Sequence, residues 1–187
     1  MKKIVLVFTL LLNLFAKDEN TIVIAGPIAS VSHPILYMIE QNALKDIGKK
    51  IEFKLWNNPD ELRALILKKE VDFIALPTNV AANLYNKGID LKLLNVSTWG
   101  ILGVVSREKD LKTVEDFKNK EIIVPFRADM PDIVLQSLIK KAGLDPKKDF
   151  KIKYVATPID AMQMLILRRA DNVLLAEPAT SIALRKT

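Results

Sequence analysis

VDFIALPTNVAANLYNKG, Val71 to Gly88, is the stretch on which the reading of this chain turns. Its first part is an apolar run carrying Val71, Phe73 and Ile74 that reaches Leu76 and stops at Pro77, as a buried strand does. Thr78 and Asn79 come next, and a helical pattern then runs to Gly88, a residue suited to a helix end. The order is strand, polar elbow, helix. A helix start leaves backbone N–H groups unpaired and carries partial positive charge, so Thr78 and Asn79 either hold a small polar ligand or cap their own helix. A second elbow facing this one favours the ligand, and the chain supplies further elbows.

Upstream, Thr21 to Ala25 is a short apolar strand followed by GPIASVSHP. Gly26 and Pro27 break the strand, and Ser30 and Ser32 precede a helix with Pro34 in its first turn. That helix is expected to bury Ile35, Leu36, Ile39 and Ile47 before Gly48 ends it. His33 at its entrance is either a ligand contact or, as is commoner, a surface cap. IEFKLW alternates Ile51, Phe53 and Leu55 with Glu52 and Lys54, the pattern of a strand with one exposed face. It ends at Trp56 and Asn57. Asn58, Pro59 and Glu61 then start a helix to about Lys69 with Leu62, Leu65 and Ile66 inward: a capping residue, a proline at the first position and an acid at the third. Strands alternating with helices predict an α/β chain with mainly parallel sheets.

Downstream, Leu91 to Val96 reads as a strand, interrupted by Ser97, Thr98, Trp99 and Gly100 before Ile101 to Val105 resumes. This is either a crossing between two lobes or a bulge within one sheet. Thr113 to Asp116 reads as a capping box that opens a short helix. From Glu121 the pattern begins again. KEIIVPFRAD falls on TIVIAGPIAS at a constant offset that also puts Pro158 on Pro59, Asp160 on Glu61, Asp171 on Asp72 and Leu175 on Leu76. Few of these pairs are identical, but the order of elements is given twice, which implies two lobes of like topology. The elbows of the second copy are Phe126 to Asp132, Thr157 with Pro158, and Glu177 with Pro178. Arg127 stands between a strand end and a helix capped by Asp129, where it either pairs with an anionic group or is simply solvated. Met162 and Met164 read as core fillers.

Half of the 187 residues are hydrophobic, ample for one large core or two smaller ones. The formal charge of +6 is spread among acids without a basic run, which argues against nucleic-acid binding. Met1 to Ala16 has a basic start (Lys2, Lys3), an apolar core from Ile4 to Leu12 and the small Ala16 before a charged stretch, the pattern of a secretory signal peptide with a core too short to span a bilayer. The chain contains no cysteine, so a lipid-attachment thiol, disulfides and cysteine-based metal sites are excluded, and the single His33 argues against zinc.

GPIASVSHP after the first strand, VDFIALPTNVAANLYNKG, the FRADMPD elbow and YVATPIDAMQMLILRRADNVLLAEP together resemble the periplasmic substrate-binding proteins of ABC importers, type II fold, of the nitrate, sulfonate, taurine and thiamine-pyrimidine group. The most specific of these is the last, a Thr-Pro helix start followed by a strand ending in Glu-Pro. The resemblance covers nearly all of the chain after the signal segment. It implies two α/β lobes joined by a hinge, at residues 17–98 and 99–187 after a signal peptide at 1–16. A small-molecule ligand would lie in the cleft, and the closed form would dock on permease subunits in the inner membrane. Carried onto this sequence, the expected ligand-binding residues are Ser30, Ser32, Trp56, Asn57, Thr78, Asn79, Ser97, Thr98, Trp99, Arg127, Asp129, Thr157 and Glu177. No cofactor, metal or nucleic-acid partner is implied, and the protein is expected to be a periplasmic monomer.

Proteins of this kind continue after the Glu-Pro helix to complete the first lobe, whereas ATSIALRKT stops within a helix pattern; the expectation is a truncated chain with an incomplete first lobe. The leading function is therefore a non-enzymatic solute receptor for a small polar or anionic solute. The alternatives are an enzyme on the same fold, of the pyrimidine-precursor or menaquinone-pathway type, a periplasmic sensor input module, and a non-functional remnant. For catalysis only His33, Asp129 and Glu177 offer themselves, and no pair among them has a telling spacing. Arg127 would suit an anion such as nitrate or a sulfonate, whereas Trp56 and Trp99 would suit a flat heterocycle.

Overall fold

The computed structural model describes residues 20–187, so the segment read as a signal peptide lies outside the described residues. Three strands, β1 (Thr21–Gly26), β2 (Lys50–Leu55) and β3 (Phe73–Ile74), form one parallel sheet in the order β2-β1-β3. Helices α1 (His33–Glu40), α2 (Pro59–Leu67) and α3 (Thr78–Asn86) alternate with them. A second sheet contains β4 (Leu102–Ser106), β5 (Glu121–Pro125), β6 (Lys151–Val155) and β7 (Asn172–Ala176), in the order β4-β7-β5-β6. Its helices are α4 (Met130–Lys141), α5 (Pro158–Ile166) and α6 (Ala179–Lys186). β5 runs parallel to β6 and β7, while β4 lies antiparallel against β7. Without β4 the two sheets have one topology, β2-β1-β3 and β6-β5-β7, and the offset between the sequence copies places α2 on α5 residue for residue.

The second unit has a core on both faces of its sheet. Ile123, Val173 and Leu175 point to α5 and α6 and pack with Ala161, Leu165 and Ala183. Ile122, Val124 and Leu174 point the other way, onto Leu135 and Ile139 of α4 and onto Phe117 and Phe150. That alternation is the two-residue period of a strand buried on both sides. In the first unit the buried cluster lies on one face, where Ala25 and Trp56 meet Leu62 and Ile66 of α2 and Val80 and Leu84 of α3. Met162 and Met164 pack against the second unit's core, in keeping with their reading as fillers.

Three local expectations fail. α1 stops at Glu40 and buries none of its residues: Leu36 is 45% and Tyr37 62% exposed, and Ile47 lies beyond it in a separate short turn that Gly48 closes. Periodicity identifies the apolar side of a helix, not whether anything covers it. Leu91 to Val96 forms no strand, and Leu93 and Leu94 are 74% and 72% exposed. An apolar run becomes a strand only where a neighbour takes its N–H and C=O groups, and no described strand pairs with this one. At Thr113 only half of the capping box exists. The Asp116 carboxylate accepts from the backbone N–H of Lys112 and Thr113 and from the Thr113 hydroxyl, which leaves that hydroxyl capping nothing.

Candidate functional site

In both units the strands β1, β2, β3 and β5, β6, β7 are parallel, so the elbows that follow them gather at one edge of each sheet. Those two edges face each other. The Ser30 N–H and hydroxyl, in the elbow after β1, both donate to the Glu177 carbonyl, in the elbow after β7, at 3.0 and 3.3 Å. Arg63 of α2 lies 3.9 Å from Asp129 in the elbow after β5. Phe126, from that same elbow, packs against the buried cluster of the first unit.

Each elbow is built from its own sequence. After β1, the Ser32 hydroxyl turns back to donate to the Pro27 carbonyl at 2.6 Å, and Ser32 is buried. A Cβ at Gly26 would come within 2.4 Å of that hydroxyl oxygen, so a larger residue there must displace the Ser32 side chain from its bond. After β2, Trp56 is buried and its indole N–H donates to the Ala75 carbonyl, which ties this elbow to the chain beyond β3. Asn58 caps α2 by accepting from the N–H groups of Asp60 and Glu61, while Asn57 donates through its backbone and its amide to Glu61. These bonds, the backbone one first, hold the Glu61 carboxyl below its usual range. After β3 the cap position is Pro77, so Thr78 and Asn79 are the first residues of α3 and neither caps it with its side chain. The Asn79 Oδ1 is buried without a hydrogen-bond partner.

In the second unit Asp129 caps α4 by accepting from the Met130 N–H at 2.7 Å and is itself buried. Thr157 and Asp160 complete a true capping box at α5. Arg127 stacks over the ring of Tyr154 on β6, 5.4 Å from its centroid. The Tyr154 hydroxyl donates to Asp132, and burial first, then that bond, push its pKa up. Glu177 has its carboxylate on the Ser181 N–H at the start of α6.

The expected residues divide into three groups. Trp56, Asn57, Thr78, Ser97, Thr98 and Trp99 border the open space between the units from the first side, and Asp129 and Thr157 border it from the second. Trp99 is exposed there, with its indole N–H on the Val96 carbonyl, and Ser97 and Thr98 lie beside it. Ser30, Ser32, Arg127 and Glu177 do not line that space and make the contacts just described. Asn79 lies to one side, in a smaller recess of about 280 Å³ with Arg63 and Asp129. The larger space measures about 2410 Å³ and extends along the apolar faces beyond the elbows. A small-molecule pocket is typically about 300–1,000 Å³, so the space as a whole is larger than one small solute fills. Sequence reasoning passed over Arg63, which sits mid-helix on a charged face, and it took Phe126 and Asp132 only as the bounds of an elbow, without the contacts they make.

No protein-family model matches the chain, and no curated protein sequence does. Solved structures do. An ABC transporter protein from Parabacteroides distasonis is similar at 28% identity with a TM-score of 0.67, over 90% of this chain and 56% of that one. The periplasmic aliphatic sulphonate binding protein SsuA of Escherichia coli is similar at 19% identity and a TM-score of 0.66, over 90% of this chain and 55% of that one. The substrate binding protein of a methionine transporter from Streptococcus pneumoniae matches at 20% identity and a TM-score of 0.64, over 88% and 71%. The chain thus spans little more than half the length of the first two. With two α/β units of one topology whose elbows face each other, this chain has the fold of the substrate-binding proteins of ABC importers.

Proposed function

We propose that this protein is a solute receptor that delivers a small polar or anionic solute to an ABC-type importer. The observation that carries this reading is the meeting of elbows from both units, sealed at Ser30 and Glu177, because α/β folds bind ligands beyond the carboxyl ends of their strands. Closure of two units around a solute is a hinge motion, stabilised by the contacts the solute adds in the closed form. In this reading the units divide near residues 98 and 99, the leader is removed on export to the periplasm, and the partners are permease subunits in the membrane. Among the described residues no helix is long and apolar enough to cross a membrane. The similar structures are binding proteins rather than enzymes, which supports a receptor without catalytic activity. The similar proteins serve solutes from alkanesulfonates to methionine and arginine, so the solute class is tested as a panel.

A thermal-shift series of the full chain with nitrate, ethanesulfonate, MOPS, acetate, methionine, arginine and thiamine tests the proposal. A solute bound only by the folded state adds about 2.7 kcal/mol at a hundredfold excess over its dissociation constant. One class is expected to raise the melting temperature in a saturable way, with no chemical change in the recovered solute. A flat response to the whole panel contradicts the receptor reading, and turnover of the bound solute replaces it with an enzyme.

A further inference from the structure

The elbow between β5 and α4 is bent in a way its residues resist. Phe126 and Ala128 have φ of 60° and 59°, a left-handed region that residues with a Cβ avoid. Such a bend persists only where the surroundings over-determine it. Backbone bonds hold the Phe126 end, its N–H on the Val155 carbonyl at 3.2 Å and its carbonyl accepting from the Asp129 N–H at 3.0 Å, and one buried side chain holds Ala128. Asp132 is 2% exposed; its Oδ2 accepts from the Ala128 N–H at 2.8 Å, and its Oδ1 accepts from the Gln136 amide at 2.7 Å and the Tyr154 hydroxyl at 3.0 Å. Charge-assisted bonds of this kind are the strong ones, and removing their shared acceptor leaves three donors without it. The bent elbow in turn makes two contacts with the first unit. Phe126 packs on the cluster that contains Trp56, and Asp129 approaches Arg63.

We infer that Asp132 is a positioning residue for the interface between the units: it holds the elbow in its left-handed bend and so directs Phe126 into the first unit. The hydrogen-bond partners of the buried carboxylate, Ala128, Gln136 and Tyr154, all lie in the second unit, and its effect on the first passes through the backbone of Ala128. This assignment is independent of what the crevice binds.

Trp56 makes the inference testable, because it is buried in the cluster Phe126 reaches, and the one other tryptophan, Trp99, is 80% exposed. With Trp99→Phe as background, acrylamide quenching reports on Trp56 alone, and Phe126→Ala sets the level reached when the elbow's contact is lost. Asp132→Ala is expected to raise quenching toward that level, and Tyr154→Phe, which removes one of the three bonds, to raise it less. Adding Ala128→Gly to Asp132→Ala is expected to restore part of the protection, since glycine adopts the required φ freely. A role confined to the second unit's stability would lower its melting temperature and leave Trp56 as it was. Unchanged quenching in folded Asp132→Ala overturns the inference. Should that variant not fold, unchanged quenching in Tyr154→Phe overturns it equally, as does an Ala128→Gly addition without effect.

Discussion

The two units share a topology and differ in closure. In the second, strands β5 and β7 are buried on both faces, with α4 on one side and α5 and α6 on the other. In the first, the buried cluster joins β1 to α2 and α3 on one face, and among the described residues α1 buries none of its own. Topology follows from the order of elements and the right-handed crossovers of parallel strands, and both copies obey it. Stability follows from how much apolar surface is covered, at about 25 cal/mol per Å², and there the copies part. Like topology is therefore no guide to like stability, and substitutions at corresponding places separate the two.

The largest contrast is expected between Leu165→Ala and Leu36→Ala. Leu165 is fully buried between α5 and β7, so its truncation should cost about 2–5 kcal/mol in urea unfolding. Leu36, on the open side of α1, should change stability by no more than about 0.5 kcal/mol. An equal loss at Leu36 would mean that the outer face of the first unit is covered in solution. Next comes Gly26→Ala, which should cost about 1–3 kcal/mol as an overpacking change, because its Cβ would strike the Ser32 hydroxyl. Ser32→Ala in the same chain should recover part of this by removing the atom struck; without recovery, the tight turn after β1 is misread.

Smaller still are the helix caps, where the units should agree. Asn58 and Thr157 occupy equivalent positions at the starts of α2 and α5, and either one changed to Ala should cost about 1 kcal/mol. A markedly smaller loss at Asn58 would show that α2 frays before the molecule unfolds. The smallest effect is on pH dependence. Backbone N–H groups of Lys112, Asp145 and Asn57 are the leading causes that hold the carboxyls of Asp116, Asp149 and Glu61 below their ordinary range. Their folded pKa values lie below the unfolded ones, so their stabilisation is complete above the unfolded values, about pH 4, and is lost as pH falls through the folded values. Urea midpoints should therefore be level from neutral pH to about pH 5 and decline below about pH 4; a decline beginning nearer neutrality would point to another titrating group.

Much of this fold is legible in the chain because its signals are local. Asn58-Pro59 and Thr157-Pro158 start helices where capping chemistry says they should, Asp129 caps α4, and Gly26 ends β1. What escaped the sequence depends on partners distant along the chain. Among the described residues, Leu91 to Val96 has a strand's composition but no neighbour to pair with, and α1 has an apolar side that nothing covers. The crevice was legible as a set of elbows but not as a set of contacts. That Arg127 stacks on Tyr154 depends on a residue of β6, and Arg63 reaches Asp129 only because the units face each other.

That facing of the elbows is the central claim, and the absence of native cysteine makes it directly measurable. Ser30→Cys with Glu177→Cys places thiols on two residues joined by a 3.0 Å backbone hydrogen bond across the crevice, close neighbours of the kind a disulfide needs, since it bridges Cα atoms about 4.4–6.8 Å apart. Mild oxidation of the double variant at low protein concentration should give an intramolecular disulfide in the folded monomer, seen as a mass loss of two protons and a mobility shift reversed by reductant. A folded monomer that forms no such bond, or links only between molecules, would contradict the facing of the two sets of elbows and with it the shared solute site.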